Sequence, residues 1–511
     1  MIAVGLACIF LYHVRDFFHN DSYITLRYAQ RILAGQGNTW TDGERVEGYT
    51  NPLWLGQLVL FGATGVDLPL LSRILGVAYL FGFAALWYLF RLWPPALLLL
   101  TTNLGFIVWS ISGMESVGFC FLISTTLLLT WRLVTEPESS DTYPLSALAG
   151  LAAALASLTR PEGMLAGVFA IGIVAALNRN VRQAFWIAAS FTVPVGLYEI
   201  YRIFYFGDLL SNSSYAKVDG ISPVVQLKGF LYYLSASKFI LVPALSCGLL
   251  ALWIIPVRYR LLGLFAIPTL VAVALGGGDH MIAGRLLLPV IAVAACLAGL
   301  ALHQRVDSSN SLSRALQGLA IVAVLFQSYY FWTRPYVPED GAAAVGKPIG
   351  RFLQTTVPPG TLIATASAGA FPFYAPSLRF IDSLGLADRH IAHAKVPGIY
   401  TNWQNVPGHR KGDAEYLLSR SPDIIILGPS QGFNGKNRKQ WFLSDYQLMG
   451  MPEFHRDYSK YNFDVPGPLA PPPQIKEDAG ILTAFLRNSS PLTELRAKVR
   501  DPGLPLRKDK E

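Results

Sequence analysis

The spacing of apolar and polar positions divides the chain in two. Apolar stretches recur near residues 1–18, 51–65, 69–90, 94–111, 116–133, 145–159, 162–178, 184–206, 240–256, 260–276, 284–303 and 313–332, separated by short polar connections. A helix needs roughly 20 apolar residues to cross about 30 Å of hydrocarbon, and most of these stretches approach that length. From residue 335 the pattern changes. Short β-rich runs, TLIAT (Thr361–Thr365) and DIIIL (Asp423–Leu427), alternate with helical stretches. This predicts a membrane domain over 1–334 and a soluble α/β or α+β domain over 335–511, large enough for its own core. The last forty or so residues, from Pro471, are Pro-rich and charged and read as loosely ordered.

Loop charge assigns the sides, since cytoplasmic loops collect Lys and Arg. Arg179/Arg182, Arg258/Arg260 and Arg305/Arg314 flank short connections and are self-consistent as the inside set. Residues 207–239, 277–283 and the C-terminal domain then lie outside. The stretch 51–65 is short with acidic flanks and reads as interfacial or re-entrant. The result is about eleven transmembrane helices, an inside N-terminus and one large outer loop over 15–68. MIAVGLACIFLYH lacks a basic leader and a small-residue cleavage site, and reads as a retained helix.

Composition narrows the class further. The 511 residues are 52% hydrophobic and 14% charged, against roughly 25% charged in soluble proteins. The net charge of +8 comes from short basic loops, which reads as topology and excludes a nucleic-acid footprint. The four cysteines all fall in apolar segments, with no CxxC and no Cys/His cluster, so neither a disulfide framework nor a zinc site is expected. No internal repeat is visible.

The charges that a simple loop would not need fall on the outer side. Asp21 precedes the pattern YITLRYAQRILAG, in which Tyr23, Leu26, Arg27, Gln30 and Arg31 form a stripe suited to an interface. Asp21 is either a helix N-cap or solvated loop carboxylate, or a general base taking a proton from an acceptor hydroxyl. SGMES places Glu115 at a helix boundary, TRPEG places Arg160 and Glu162 around Pro161, and GGGDHMIAGRLLLP places Asp279, His280 and Arg285 after a glycine run. Ionisable groups at membrane depth are costly and so usually pair or work. Arg27, Arg160 and Arg285 are candidate cations for a lipid phosphate, with Glu115, Glu162 and Asp279 beside them. The alternative is an Arg–Glu network that holds helix ends together. His280 fits a phosphate donor, a proton shuttle or an interfacial histidine. Glu47 is either a second acid or the partner of Arg45 or Arg31.

Taken in order, NDSYITLRYAQRILAGQG…GERVEGYTNPLW, SGMES, LTRPEG, GGGDHMIAGRLLLP and IDSLGLADRHIA…PGHRKGDAEYLL…SPDIIIL resemble a branch of the GT-C glycosyltransferases, the one with the mycobacterial terminal β-(1→2)-arabinofuranosyltransferase. The resemblance runs to about residue 430. It implies a polytopic α-helical enzyme of a bacterial plasma membrane, working on the extracytoplasmic side. Its donor would be a polyprenyl-phosphate sugar, in this branch arabinofuranose or otherwise another lipid-linked pentose or hexose, usually transferred with inversion. The acceptor would be an envelope glycan or an exported, pilin-like protein. By motif position Asp21 is the implied base. Family members often carry Asp-Asp where this chain has Asn20-Asp21, which weakens any metal site shared by the pair. No obligatory cofactor or metal is therefore expected. One carboxylate suffices because the departing phosphate is already charged, unlike the sugar alkoxide of a glycosidase.

In the C-terminal domain Asp382, Asp388, Arg389 and His390 are candidates for acceptor recognition, with helix capping by the two aspartates as the alternative. His390 and His393 are spaced i, i+3 and share a face if this stretch is helical, a pairing that can bind a metal, but nothing nominates further ligands. The competing class is a flippase for a lipid-linked sugar. It calls for helices interrupted at mid-membrane and often a repeat, and neither is read from this sequence.

Overall fold

A computed structural model describes residues 2–136, 142–218, 223–303, 311–334, 337–406, 408–428, 430, 432, 440–466 and 480–499. Among these, nine helices are long and apolar enough to cross a membrane by length and composition. Two occupy the middle of the bundle. Ser116–Thr135 is buried along nearly its whole length, and every residue from Leu288 to Leu302 is buried. The others pack around them with their outward faces apolar and exposed, as lipid requires.

The difference from eleven has two physical sources. Ile2–His13 is a 12-residue helix, about 18 Å long at 1.5 Å per residue. The stretch 94–111 is interrupted. It runs as a 3₁₀ turn (Pro94–Leu97), one α turn (Leu98–Thr101) and a second helix (Leu104–Ser110). Asn103 makes the break. Its Oδ1 accepts from the Gly105 and Phe106 amides, and its Nδ2 donates to the Ile240 carbonyl at 3.0 Å. The segment still runs the depth of the bundle, since the Trp93 amide meets the Gly299 carbonyl and Trp109 Nε1 meets the Ile282 carbonyl. The sequence reading of no interrupted helix is thus corrected.

Two further expectations change. The stretch expected as an outer loop over 207–239 is largely the first half of one 32-residue helix, Pro223–Ile254. At 1.5 Å per residue this is longer than a bilayer is thick. The stretch 51–65, expected not to span, does form only the short helix Pro52–Gly62. Arg305 and residues 467–479 and 500–511 lie outside the described residues. The rest of the supposedly loose C-terminus, 480–499, is ordered and supplies a strand of the sheet.

That sheet has five strands: β1 (Leu362–Thr365), β2 (Arg379–Asp382), β3 (Ile424–Ile426), β4 (Tyr458–Asp464) and β5 (Ile481–Arg487). Their order is β2-β1-β3-β5-β4, with β1 parallel to both β2 and β3, and β5 antiparallel to β3 and β4. Alternation in Ile-Ile-Ile and Leu-Thr-Ala-Phe-Leu gives the sheet an apolar surface on both sides. Ile425 and Phe485 face a small core with Leu417 and Leu448. Ile363, Ile424 and Leu486 face a larger core shared with the helix Ser22–Leu33.

This shared core fixes how the domain sits on the bundle. Ser22–Leu33 is expected to lie along the bilayer surface, yet Ser22 through Ala29 are all buried between the bundle end and the sheet domain. Arg27 is fully buried and faces no phosphate site. Its Nε donates to the Trp40 carbonyl at 2.7 Å, its other nitrogens to the Pro372 and Leu378 carbonyls, and the guanidinium lies over the Phe380 ring at 5.0 Å. Its role is that of a strut, not a ligand. Arg27→Ala would strand three carbonyls in a dry interface and is expected to destabilise the assembly by about 3 kcal/mol. Thermal unfolding in detergent should show this, with the affinity of the folded fraction for polyprenyl phosphate unchanged.

Candidate active site

The bundle end and the sheet domain enclose a cavity of about 500 Å³. Asp21 enters it from the loop that follows the first helix. The His19 amide bonds the Ser112 carbonyl at 3.1 Å, and Ser22 Oγ donates to the same carbonyl at 2.6 Å. Asn20 Oδ1 accepts from the Ala370 amide at 3.0 Å, joining the loop to the sheet domain. Asn20 is thus a structural link between the two parts. Asp21 occupies the N-cap position of Ser22–Leu33 but its side chain makes no capping bond. The carboxylate is left to the cavity.

Its surroundings set its ionisation. Burial pushes the Asp21 carboxyl up, but His19, Lys217, Arg285 and His280 together outweigh burial and hold it below the ordinary carboxylate range. The Asp21 amide donates to His19 Nδ1 at 3.2 Å, and His19 Nε2 lies 3.9 Å from Asp340 Oδ2. Asp21 is therefore an ionised acceptor at neutral pH.

The opposite wall is the segment that follows the glycine run. Gly277 and Gly278 have φ of +73° and +90°, and a Cβ on Gly278 would sit 2.7 Å from the Gly229 carbonyl oxygen. Only glycine passes so close to the long Pro223–Ile254 helix in that conformation. The turn delivers Asp279, which accepts from the Met281 amide and pairs with Arg285 at 3.0 Å. Burial opposes ionisation of Asp279, but Arg285 and His280 keep its carboxyl below the usual range. Arg285 also lies over the Trp109 ring at 5.4 Å, and its Nε is buried with no partner among the described residues. His280 stands 3.6 Å from Asp279 and packs edge-on to His409.

Arg160 lines the cavity but is bound twice, to Glu162 at 2.6 Å and Glu115 at 2.9 Å. Asn51 Nδ2 donates to the second Glu115 oxygen at 2.8 Å. The Arg–Glu network anticipated as the alternative is present here, and Glu115 acts through Arg160. Glu162 reaches the cavity wall itself.

The remaining candidates lie elsewhere. Glu47 bonds Tyr198 and Arg202, at 2.5 and 2.6 Å, and neither Arg45 nor Arg31. Asp382 caps a turn through the Leu384 and Ala387 amides, and burial pushes its carboxyl up to about 7. Asp388 caps the short helix Arg389–His393 and accepts from Tyr416 Oη. Arg389 ties the domain to Asp208 and the Phe206 and Gly207 carbonyls. His390 pairs with Asp413 at 2.9 Å while His393 turns to Asp208, so the two imidazoles diverge. None of these six residues lines the Asp21 cavity. The two aspartates are caps, and Glu47 and Arg389 are fasteners.

Sequence reasoning missed Lys217 and the roof. Lys217 comes from the helix Asn212–Val218, which Asn212 clamps through the Gly385 carbonyl at 2.7 Å and Ser213 through the Gly48 carbonyl at 2.6 Å. Its ammonium faces the open cavity with no ion pair among the described residues. The roof is aromatic: Trp403 stacks on Trp441 at 5.0 Å, and His409 on Phe442 at 5.7 Å. A lone Lys in a polar loop and scattered Trp carry no spacing signal; the fold alone brings them over Asp21.

Comparison with known proteins bears on the fold. Residues 336–466 match a domain of unknown function (DUF8728). Over 225 residues, 40% of this chain, the sequence is 28% identical to the terminal β-(1→2)-arabinofuranosyltransferase of Mycobacterium tuberculosis (strain ATCC 25618 / H37Rv). That match spans 35% of the relative, so the chain covers about a third of its length. The crystal structure of ArnT from Cupriavidus metallidurans bound to undecaprenyl phosphate superimposes with a TM-score of 0.54 at 14% identity, covering 96% of this chain and 98% of that one. The chain therefore shares the fold of ArnT, a polytopic helical bundle carrying a C-terminal domain with a small sheet.

Proposed function

We propose that the protein is a membrane glycosyltransferase that moves a sugar from a polyprenyl-phosphate donor to a hydroxyl, with Asp21 as general base. The observation that carries this reading is one cavity holding the Asp21 carboxylate, which makes no hydrogen bond among the described residues, together with two under-used cations, Lys217 and Arg285. The acceptor hydroxyl gives its proton to Asp21 as its oxygen attacks the anomeric carbon. The bond from that carbon to the phosphate oxygen breaks with inversion, and the polyprenyl phosphate leaves with the electron pair. Lys217 and Arg285 hold the phosphate and stabilise its growing charge. Because the leaving group departs as an anion, this chemistry requires no obligatory metal and no second acid.

D-Arabinofuranose is our assignment for the sugar, supported by the outer-loop motifs and by the named activity of the Mycobacterium tuberculosis relative. The lipid class is supported by ArnT, whose crystal structure has undecaprenyl phosphate bound. The acceptor is an envelope glycan or an exported protein. We place the cavity on the extracytoplasmic face of a bacterial plasma membrane. Arg179/Arg182 and Arg258/Arg260 lie at the far ends of the helices that begin or end at the cavity, Pro161–Asn178 and Val257–Gly276.

One observation favours the flippase alternative, the break at Asn103. That break is capped and packed against Ile240, and the Asp21 cavity lies at the bundle end. A transferase releases polyprenyl phosphate, whereas a flippase delivers intact lipid.

Purified protein given radiolabelled polyprenyl-phosphate arabinofuranose and an envelope acceptor is expected to transfer label. Asp21→Asn should lower the rate by about 10²–10⁴-fold with unchanged donor affinity. Wild-type turnover in that variant would overturn the base assignment.

Burial pulls the Lys217 ammonium below its ordinary range, with Arg285 and Arg160 adding to it and Asp21 and Asp279 opposing. The cation binds phosphate only while protonated. Donor affinity should therefore fall as pH rises through this lowered pKa, on the alkaline side but short of the usual lysine range. Lys217→Arg should push that limb to higher pH, as measured by donor-binding titrations; an identical profile in the variant would exclude Lys217 from the phosphate site.

A further inference from the structure

A groove of about 820 Å³ runs over the sheet domain outside the cavity, lined by His390, Lys395, Asp413, Glu415, Gln440 and Tyr446 among others. One short run of chain joins it to the Asp21 cavity. Gln440 lines the groove, and the next two residues, Trp441 and Phe442, line the cavity.

Two chain segments bridged by aromatic rings make this junction. Tyr400 stacks on Tyr446 with centroids 4.9 Å apart and planes 19° apart, and Trp403 stacks on Trp441 at 5.0 Å and 16°. Both pairs link segment 400–403 to segment 441–446, so they are successive rungs of one ladder. The outer rung is exposed, Tyr400 at 47% and Tyr446 at 44%. The inner rung is half-buried at the cavity roof. Tyrosines this exposed gain little from water exclusion, so a fold has little reason of its own to keep them.

The ladder is also held stiff. Gln404 Oε1 accepts from the Tyr400 and Thr401 amides, at 2.6 and 3.0 Å, and its Nε2 donates to the Gly398 and Arg410 carbonyls. On the other side, Asp445 accepts from the Phe442 and Gly428 amides at 3.0 and 3.1 Å. Loops fixed in this way present a preformed surface, which lowers the ordering cost of binding.

We propose that this groove and ladder bind a saccharide chain of several residues and lead its end to Asp21, so that the acceptor is a glycan chain. The proposal rests on the transferase reading for its purpose, though not for the binding itself. Sugar rings have one apolar C–H face and a rim of hydroxyls. The rings of the ladder suit the face, and the amide of Gln440, the carboxylate of Glu415 and the ammonium of Lys395 suit the rim. No hydrogen bond or ion pair from the side chains of these three residues is found among the described residues. The ligand wanted is amphiphilic and repeating, with a flat face every few ångströms. A lipid-linked monosaccharide alone would occupy only the cavity.

The test uses the full-length protein in detergent without donor, titrated with an arabinofuranosyl hexasaccharide and a mannopyranosyl hexasaccharide. Wild type should bind one of them, and Tyr400→Ala/Tyr446→Ala should weaken that binding about tenfold, as loss of two ring contacts requires. In the transfer assay the same variant should raise KM about tenfold for the hexasaccharide while leaving kcat and KM for a monosaccharide acceptor unchanged. Binding of neither hexasaccharide by wild type, equal binding by the variant, or tighter binding of an unglycosylated peptide of similar length would each overturn the proposal. Because binding is read without donor, an inactive protein that still binds the hexasaccharide through the ladder would sink the transferase reading and leave the saccharide site standing.

Discussion

The placement of Asp21 in the cavity depends on a guanidinium buried without a carboxylate in contact among the described residues. Arg27 directs its hydrogen bonds to three backbone carbonyls, one in its own membrane domain and two in the sheet domain. Water cannot replace those partners once the interface closes, so the two parts stay registered to within a hydrogen bond. The Ser22–Leu33 helix is thereby fixed between them, and Asp21 at its start is fixed with it. A helix lying loosely on a bilayer surface would hold a carboxylate far less well. The link from Asn20 to the Ala370 amide secures the same point a second time.

The electrostatics of the cavity then divide the cations by how fully they are matched. Arg160 has two carboxylates and Arg285 one, while Lys217 faces the cavity without an ion pair among the described residues. A matched arginine braces a wall, and an unmatched cation attracts an anion. This ordering separates Arg160, which two carboxylates would have to release, from Lys217 and from Arg285, whose Nε has no partner among the described residues. It also accounts for Asp21 staying ionised despite burial, because the cations act on it from the surrounding walls.

Much of this was legible in the sequence, for reasons that can be named. Membrane helices announce themselves by uninterrupted apolar length, and the glycine run before Asp279 marked a place where backbone must come close. Charged residues at helix boundaries stand out against an apolar background, which brought Asp21, Arg160, Asp279, His280 and Arg285 forward. Arg27 and Glu47 stood out equally and proved to be fasteners, because charge alone does not say which side of a helix meets a cavity. The break at Asn103 was hidden, since one buried amide in an apolar run barely changes its hydropathy. Lys217 and the aromatic roof were hidden for another reason. They belong to separate loops, and only tertiary folding sets them over Asp21.

On the proposed mechanism a lipid phosphate sits between Lys217 and Arg285 with its sugar-bearing side toward Asp21. An electron cryo-microscopy structure of the protein in nanodiscs with a polyprenyl phosphate would test this without any assumption about the acceptor. Phosphate density is expected within hydrogen-bonding distance of Lys217 Nζ and Arg285 Nε, with the lipid tail leaving along the bundle surface. Phosphate density elsewhere, with Lys217 and Arg285 unengaged, would contradict the mechanism.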